Sequence, residues 1–408
     1  MYTFSENTFS PALVNSGGVL VAAMCRGVAG REWGYIEVVT RRSTDGGVTW
    51  SDEKLAARPP ARSINEKKEN TKSAFFLNPV MATAPNGDIV LLVTFFPESK
   101  GLADKKYLES KKTAFTSYEG ERCPVIYNRD GVYFIVMKNG MVLDKNKRVT
   151  PLKVKGIGEL YQDEEYLGNI FLNGARGRAT GGRITTFGAV LKTPKRSYIY
   201  MMKSKDKGLT WSRPKDITAE VLFEKDGAAV MTCTGNGLVT AEGRIIMPMC
   251  SDKDSFAIYS DDNGVTWNRN SRMPYTGGSY DWTAVQTPDR KIYAFSRGKT
   301  AVSEDNGIAW TTGGKLGSFY AKAQKSALLL SDCIFVTTST KAKNGCLAIA
   351  DLLYDKKDNY KVFTWRKKTT EIGNGAFGAS SIAPLSDSAF GVVYEQGDKL
   401  IFNEIDVE

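Results

Sequence analysis

The chain has 408 residues, 42% of them apolar and 11% aromatic, with 39 glycines and a formal net charge of +10. It contains no histidine, which excludes Ser-His-Asp and Cys-His nucleophile systems and counts against a zinc hydrolase. Its lysines are scattered rather than gathered into basic blocks with aromatics, so nucleic acid is not an expected partner; an anionic sugar or a cell surface explains the charge equally well.

From the front, residues 1–5 offer neither a basic segment nor an apolar one, so no signal peptide is visible. Residues 9–21 already read as a strand and its turn, so the chain is expected to be trimmed at its front. Strand-like runs bounded by Gly, Asn or Pro follow at 19–24, 36–40 and 89–95, and later at 245–249, 291–295, 326–330 and 390–394. No apolar run is long enough to span a membrane as a helix. Six cysteines, at 25, 123, 233, 250, 333 and 346, have no CxxC or metal spacing and are expected to be buried thiols, with disulfides as the alternative.

One pattern recurs along these runs. Ser43-Thr-Asp-Gly-Gly-Val-Thr-Trp50 is followed by Ser204-Lys-Asp-Lys-Gly-Leu-Thr-Trp211, Ser260-Asp-Asp-Asn-Gly-Val-Thr-Trp267 and Ser303-Glu-Asp-Asn-Gly-Ile-Ala-Trp310. Four copies of Ser-x-Asp-x-Gly-x-x-Trp are an internal repeat. The Asp can hydrogen-bond backbone N–H groups ahead of it, the Gly supplies positive φ, and the Trp anchors the turn. Each copy therefore belongs on a hairpin turn. Many short strands with one repeated turn favour a propeller of four-stranded blades. The last three Trp residues lie 56 and 43 positions apart, near one blade length, whereas the first two lie 161 apart. The excess, roughly 100–190, opens with a Lys-rich and helix-compatible stretch at 100–112 and continues with hairpin signals at 127–131, 137–140 and 144–147. An all-β chain follows: propeller at 1–100, an inserted β-rich subdomain at 101–195, and the rest of the propeller at 196–408.

These boxes and their flanks, Arg41-Arg42, Phe96-Pro97-Glu98-Ser99-Lys100-Gly101, Trp211-Ser212-Arg213-Pro214 and Tyr166-Leu-Gly-Asn-Ile170, resemble the exo-α-sialidase and trans-sialidase family over nearly the whole chain. The resemblance implies a six-bladed β-propeller whose central cleft binds sialic acid without cofactor or metal. It also implies sialylated glycans or glycoproteins as partners, a monomer, and an extracellular or cell-surface setting. Sialidases hold the sugar carboxylate with arginines, whose planar forks suit it. They cleave with a Tyr nucleophile activated by a Glu and assisted by an Asp acid/base.

Matched residue by residue, the family's first carboxylate-binding Arg falls on Phe9, or on Ser10 if the register slips. Arg26 fits a pocket arginine, Glu32 stands at the acid/base Asp, and Asn78 replaces a second pocket Asp. Asp281, in Asp281-Trp-Thr-Ala-Val-Gln286, stands at the activating Glu, and Arg297 at the second carboxylate-binding arginine. The third falls on Ala342, flanked by Lys341 and Lys343, either of which could supply charge but no bidentate fork. The nucleophile position falls on Phe377, with Tyr320 and Tyr394 as substitutes. Phe cannot act as a nucleophile. Three readings follow: a catalytically impaired sialidase-like protein that binds sialylated glycans or another surface partner; an active exo-α-sialidase or trans-sialidase with a rearranged site built on Glu32, Asp281 and Arg297; and an adhesive propeller without a sugar pocket.

Overall fold

A computed structural model describes residues 1–27, 34–61, 73–99, 101–104, 112–173, 187–251, 254–274, 282–296, 299–315, 325–340, 342–353 and 361–407. Its strands form the six antiparallel blades of a β-propeller and one further sheet. The first blade comprises Thr8–Ser16, Val19–Gly27, Ile36–Ser43 and Lys54–Ala57; the second comprises Phe75–Thr83, Ile89–Phe96, Tyr198–Ser204 and Lys215–Asp216. The third, fourth and fifth begin at Val230–Thr232, Trp282–Gln286 and Ala327–Leu330. The sixth runs Phe377–Ser386, Ala389–Gln396 and Lys399–Asp406, and the N-terminal strand Tyr2–Thr3 completes its outer edge. Closing the last blade with the first strand locks the ring and covers an edge that would otherwise lie open. Every strand run expected from the sequence is present.

The repeated turn has the geometry its residues call for. In the first copy, Gly47 N–H donates to Ser43 Oγ at 2.8 Å and Thr49 N–H donates to Asp45 Oδ1 at 2.9 Å. Gly47 has φ +96° and packs flush on Phe402 of the sixth blade, where a Cβ would come within 2.1 Å of the ring. The same Ser–Gly bond, at 2.8 Å, forms in the other three copies. Each box joins the third and fourth strands of one of the first four blades. Trp267 and Trp310 are buried as anchors.

The hairpin signals in the long gap are all realised as turns of a seven-stranded meander, from Phe115–Tyr118 to Glu165–Asn169, inserted between the second and third strands of the second blade. Within the Lys-rich stretch expected to be helix-compatible, residues 101–103 form a single 3-10 turn, and 105–111 lie outside the described residues. Among the described residues the sheet's own cluster is small, built on Cys123, Ile135 and Leu143. The sheet's Ile126, Val142 and Leu160 pack with Phe76, Phe95, Tyr198 and Tyr200 of the blade in one cluster. A ladder of alternating rings and guanidinium groups ties it to the third blade. Arg196 lies 4.6 Å from the Phe115 ring, Arg122 lies 4.8 Å from Phe115 and 4.5 Å from Phe223, and Arg269 lies 5.0 Å from Phe223 and 3.6 Å from Phe256. Such contacts contribute about 0.5–2 kcal/mol each. Arg269 also pairs with buried Asp226.

At the axis the inner strands meet through hydroxyl and amide groups. Asn236 Oδ1 accepts both Ser326 Oγ and Ser381 Oγ at 2.7 Å, joining the segment after the third blade's first strand to the fifth and sixth blades. All six cysteines are free, and five are buried.

Candidate functional site

The inner strands run in one direction, so their first residues gather at one end of the axis. Leu13 N–H donates to Ser381 Oγ while Ser10 N–H donates to Glu395 Oε1, both at 2.8 Å, which sets the first and sixth inner strands side by side and parallel. The gathered ends share a device. The pairing of Thr8–Ser16 breaks between Phe9 and Ala12, that of Phe75–Thr83 between Leu77 and Val80, and that of Phe377–Ser386 between Phe377 and Ser380. In the first two, a residue with positive φ precedes a proline: Ser10 at +50° before Pro11, Asn78 at +54° before Pro79. Bulges of this kind re-aim side chains and are common beside functional sites.

A continuous path of contacts runs round this end. Asn78 Nδ2 donates to Thr232 O at 3.2 Å, and its own carbonyl accepts the Thr232 hydroxyl, so the amide is buried between the second and third blades. The Cys25 thiol bonds the Asn78 backbone; burial, the larger effect, pushes that thiol up. Cys25 is the cross-strand partner of Phe9. Phe9 sits in an apolar cluster with Cys25, Phe75, Phe96, Met231 and Cys233, and the Phe75 and Phe96 rings stack at 4.9 Å. Where the resemblance expects a guanidinium, this end of the first strand is therefore apolar. Next comes Ser10, bonded to Glu395. The other oxygen of Glu395 accepts Ala379 N–H at 3.3 Å and lies on Gly378, where a Cβ would come within 2.2 Å. Among the described residues Glu395 has no ion pair.

Phe377 follows. Its ring stacks on Tyr394 with centroids 5.4 Å apart and lies over Gly345, where a Cβ would come within 2.2 Å. It is buried in the seam between the fifth and sixth blades with Leu347, Ile372 and Phe390. Tyr394 is 1% exposed, its phenol is pushed up by burial, and its oxygen accepts Asn403 Nδ2 at 3.0 Å. Residues 374–381 read Asn-Gly-Ala-Phe-Gly-Ala-Ser-Ser, so this edge presents no phenol in any register. Lys343 sits on the adjoining turn with an exposed side chain, and its carbonyl accepts Phe377 N–H at 2.9 Å.

Arg26 is the penultimate residue of the second strand of the first blade, at the same end of the molecule. Its Nη1 donates to Glu53 at 2.6 Å and its Nη2 to Glu37 at 2.5 Å. Glu37 also accepts Arg58 Nε at 2.7 Å. Burial acts to raise the Glu37 carboxyl, but the two arginines outweigh it and hold it below the usual carboxylate range. Arg26 is thus committed to two carboxylates of its own blade. Glu32, Asp281, Arg297, Tyr320 and Lys341 lie outside the described residues.

Asn78, Phe9, Phe377 and Lys343 are brought to one rim, with Arg26 beside it. Two groups there were not singled out from the sequence. Glu395 ends an apolar run on the sixth blade, and Lys325, only 1% exposed, precedes the inner strand of the fifth. The repeated Ser-Pro and Asn-Pro pairs near the starts of inner strands were the signal that could have marked this rim. Among the described residues no group of three or more His, Cys, Asp or Glu has the arrangement of a metal site.

Comparison with known proteins places this geometry. A model of the BNR repeat-like domain matches residues 161–367. An anhydrosialidase from Macrobdella decora is 24% identical over 96% of this chain and 58% of its own length. Sialidase B from Streptococcus pneumoniae is 22% identical over 91% of this chain and 58% of its own length. The chain thus spans little more than half of these relatives. The crystal structure of the intramolecular trans-sialidase from Ruminococcus gnavus superposes with a TM-score of 0.80 at 21% identity, over 98% of this chain and 94% of that one. The fold is the same.

Proposed function

We propose, for a chain that belongs to the BNR repeat-like family and has the sialidase-family propeller, that it binds sialylated glycans, or another surface partner, through the open end of its axis and cleaves them poorly. The observation that carries this reading is the edge at 374–381, which has no phenol, with the Phe377 ring turned into the seam between two blades. A sialidase mechanism needs a Tyr oxygen there. The apolar seat of Phe9 and the commitment of Arg26 to Glu37 and Glu53 support it further. Losing charged contacts to a sugar carboxylate weakens binding by about 1.5–3 kcal/mol each, so the expected binding is weak. An extracellular or surface setting goes with such partners.

A second reading is an active sialidase or intramolecular trans-sialidase with a rearranged site. Its support is the match to an anhydrosialidase and to sialidase B over more than nine-tenths of this chain, beside the fold shared with an intramolecular trans-sialidase. The test is hydrolysis of a fluorogenic sialoside beside calorimetric binding of 3′-sialyllactose. Binding without turnover is the expected result. Robust turnover establishes the second reading instead, and neither turnover nor binding points to an adhesive propeller.

A further inference from the structure

The inserted sheet carries a cavity of its own, of about 560 Å³, remote in sequence from every inner-strand start. It lies between the end of the strand Glu121–Tyr127, Leu167 on the last strand of the meander, and the segment 187–192. Four backbone hydrogen bonds fix these walls. Tyr127 and Lys192 exchange a pair at 2.8 Å, Asn169 N–H donates to Phe187 O at 2.7 Å, and Ala189 N–H donates to Asn169 O at 2.9 Å. The fit is close enough to demand glycine: Gly168 has φ +110°, and a Cβ there would come within 2.8 Å of the Ala189 nitrogen. The cavity is thus built before any ligand arrives.

Its chemistry is divided. Leu167, Phe187 and Val190 supply apolar surface, and Val190 is 63% exposed despite its size. Lys112, Arg129 and Lys192 supply cations, and among the described residues no carboxylate lines the cavity. Lys112 lies 4.8 Å from the Tyr127 ring, and among the described residues neither it nor Arg129 has an ion pair. Lys192 donates to Leu172 O. A ligand that fits needs an anionic group for the basic rim and an apolar face for the wall. Its size must suit a pocket within the usual range for small molecules. Sugars bearing a carboxylate or sulfate meet all three conditions, since the C–H face of a sugar ring lies against aromatic and aliphatic walls while the acid faces the cations.

We propose that this cavity is a second binding site, for an acidic sugar, independent of the axial cleft. The protein labelled at Leu and Val methyls is titrated with 3′-sialyllactose, with a sulfated disaccharide and with neutral lactose, following the Leu167 and Val190 resonances. Saturable shifts with either acidic sugar, little or none with lactose, and affinity at least about tenfold weaker in Lys112→Glu/Arg129→Glu are expected. Which acidic sugar shifts them identifies carboxylate or sulfate as the acid recognised. Absence of shifts with both acidic sugars, or equal shifts with lactose, or unchanged affinity in the double variant overturns the proposal. Failure of sialoside binding at the axis leaves these resonances unaffected, so the two readings fail separately.

Discussion

Glu395 accepts the backbone N–H of Ser10 at 2.8 Å, and that bond ties the first inner strand to the sixth blade at the rim of the axis. The carboxylate is half-buried, bonds Ala379 N–H with its other oxygen and has no ion pair among the described residues. It does the work of a backbone clamp. Glu395→Ala leaves two amides without acceptors and should cost about 1–3 kcal/mol for each that stays buried. Urea unfolding should show a lower midpoint, with Glu395→Gln intermediate because one acceptor oxygen survives.

The nucleophile position yields a prediction with a negative sign. Because the Phe377 ring lies over Gly345 and against Tyr394, Phe377→Tyr adds its hydroxyl inside a seam between blades. No sialoside turnover should be gained. A large increase over the parent in a fluorogenic assay would show that this ring faces the cleft.

Asp226→Asn probes the ring and guanidinium ladder. Asp226 is 2% exposed and pairs with Arg269, whose side chain is 6% exposed. Removing one partner of a buried pair typically costs about 3–5 kcal/mol because the other charge is left uncompensated. The loss should appear in thermal unfolding. Hydrogen exchange should rise first in Phe115–Tyr118 and Asn268–Arg272, the strands the ladder joins.

The repeated turns set the acid limit. The Thr49 hydroxyl, then the Thr49 amide and the Ser43 hydroxyl, hold Asp45 at about 2. For Asp262 burial acts to raise the carboxyl, but its bonds to Thr266 and Ser260 outweigh it and the result is also about 2. A folded pKa below the unfolded value, about 3.9 for Asp, stabilises the fold at higher pH. That contribution is lost as pH falls through about 4 to 2. The melting temperature should fall across this window, and Asp262→Asn should flatten the fall.

At the axis, Asn236→Ala removes the acceptor of Ser326 Oγ and Ser381 Oγ. Both serines are buried. A drop of about 1–3 kcal/mol per unsatisfied hydroxyl is expected in chemical denaturation, and Asn236→Asp should not rescue it, because the amide that donates to Ile382 O is replaced by a carboxylate oxygen.

The repeated box determined the blade hairpins by itself, because its logic is local, while the number of blades came from the family resemblance. Ser, Asp, Gly and Trp within eight residues close their own hydrogen bonds and place their own anchor. Four copies therefore reveal the hairpins, and the spacing between them reveals the insertion. Strand positions were legible for the same reason, since alternating apolar runs bounded by turn residues need no distant partner to be read. What the rim residues do depended on partners far away in sequence. Arg26 reads as a pocket arginine until Glu37 and Glu53 are seen to take both its forks. Phe377 reads as a cleft residue until a bulge and Gly345 turn its ring into a seam. Glu395 gains meaning only from Ser10, 385 positions away. Blade hairpins are fixed by contacts a few residues apart, whereas the rim is assembled from strands drawn from the whole chain, so only tertiary packing decided which charges are paired and which way each side chain faces.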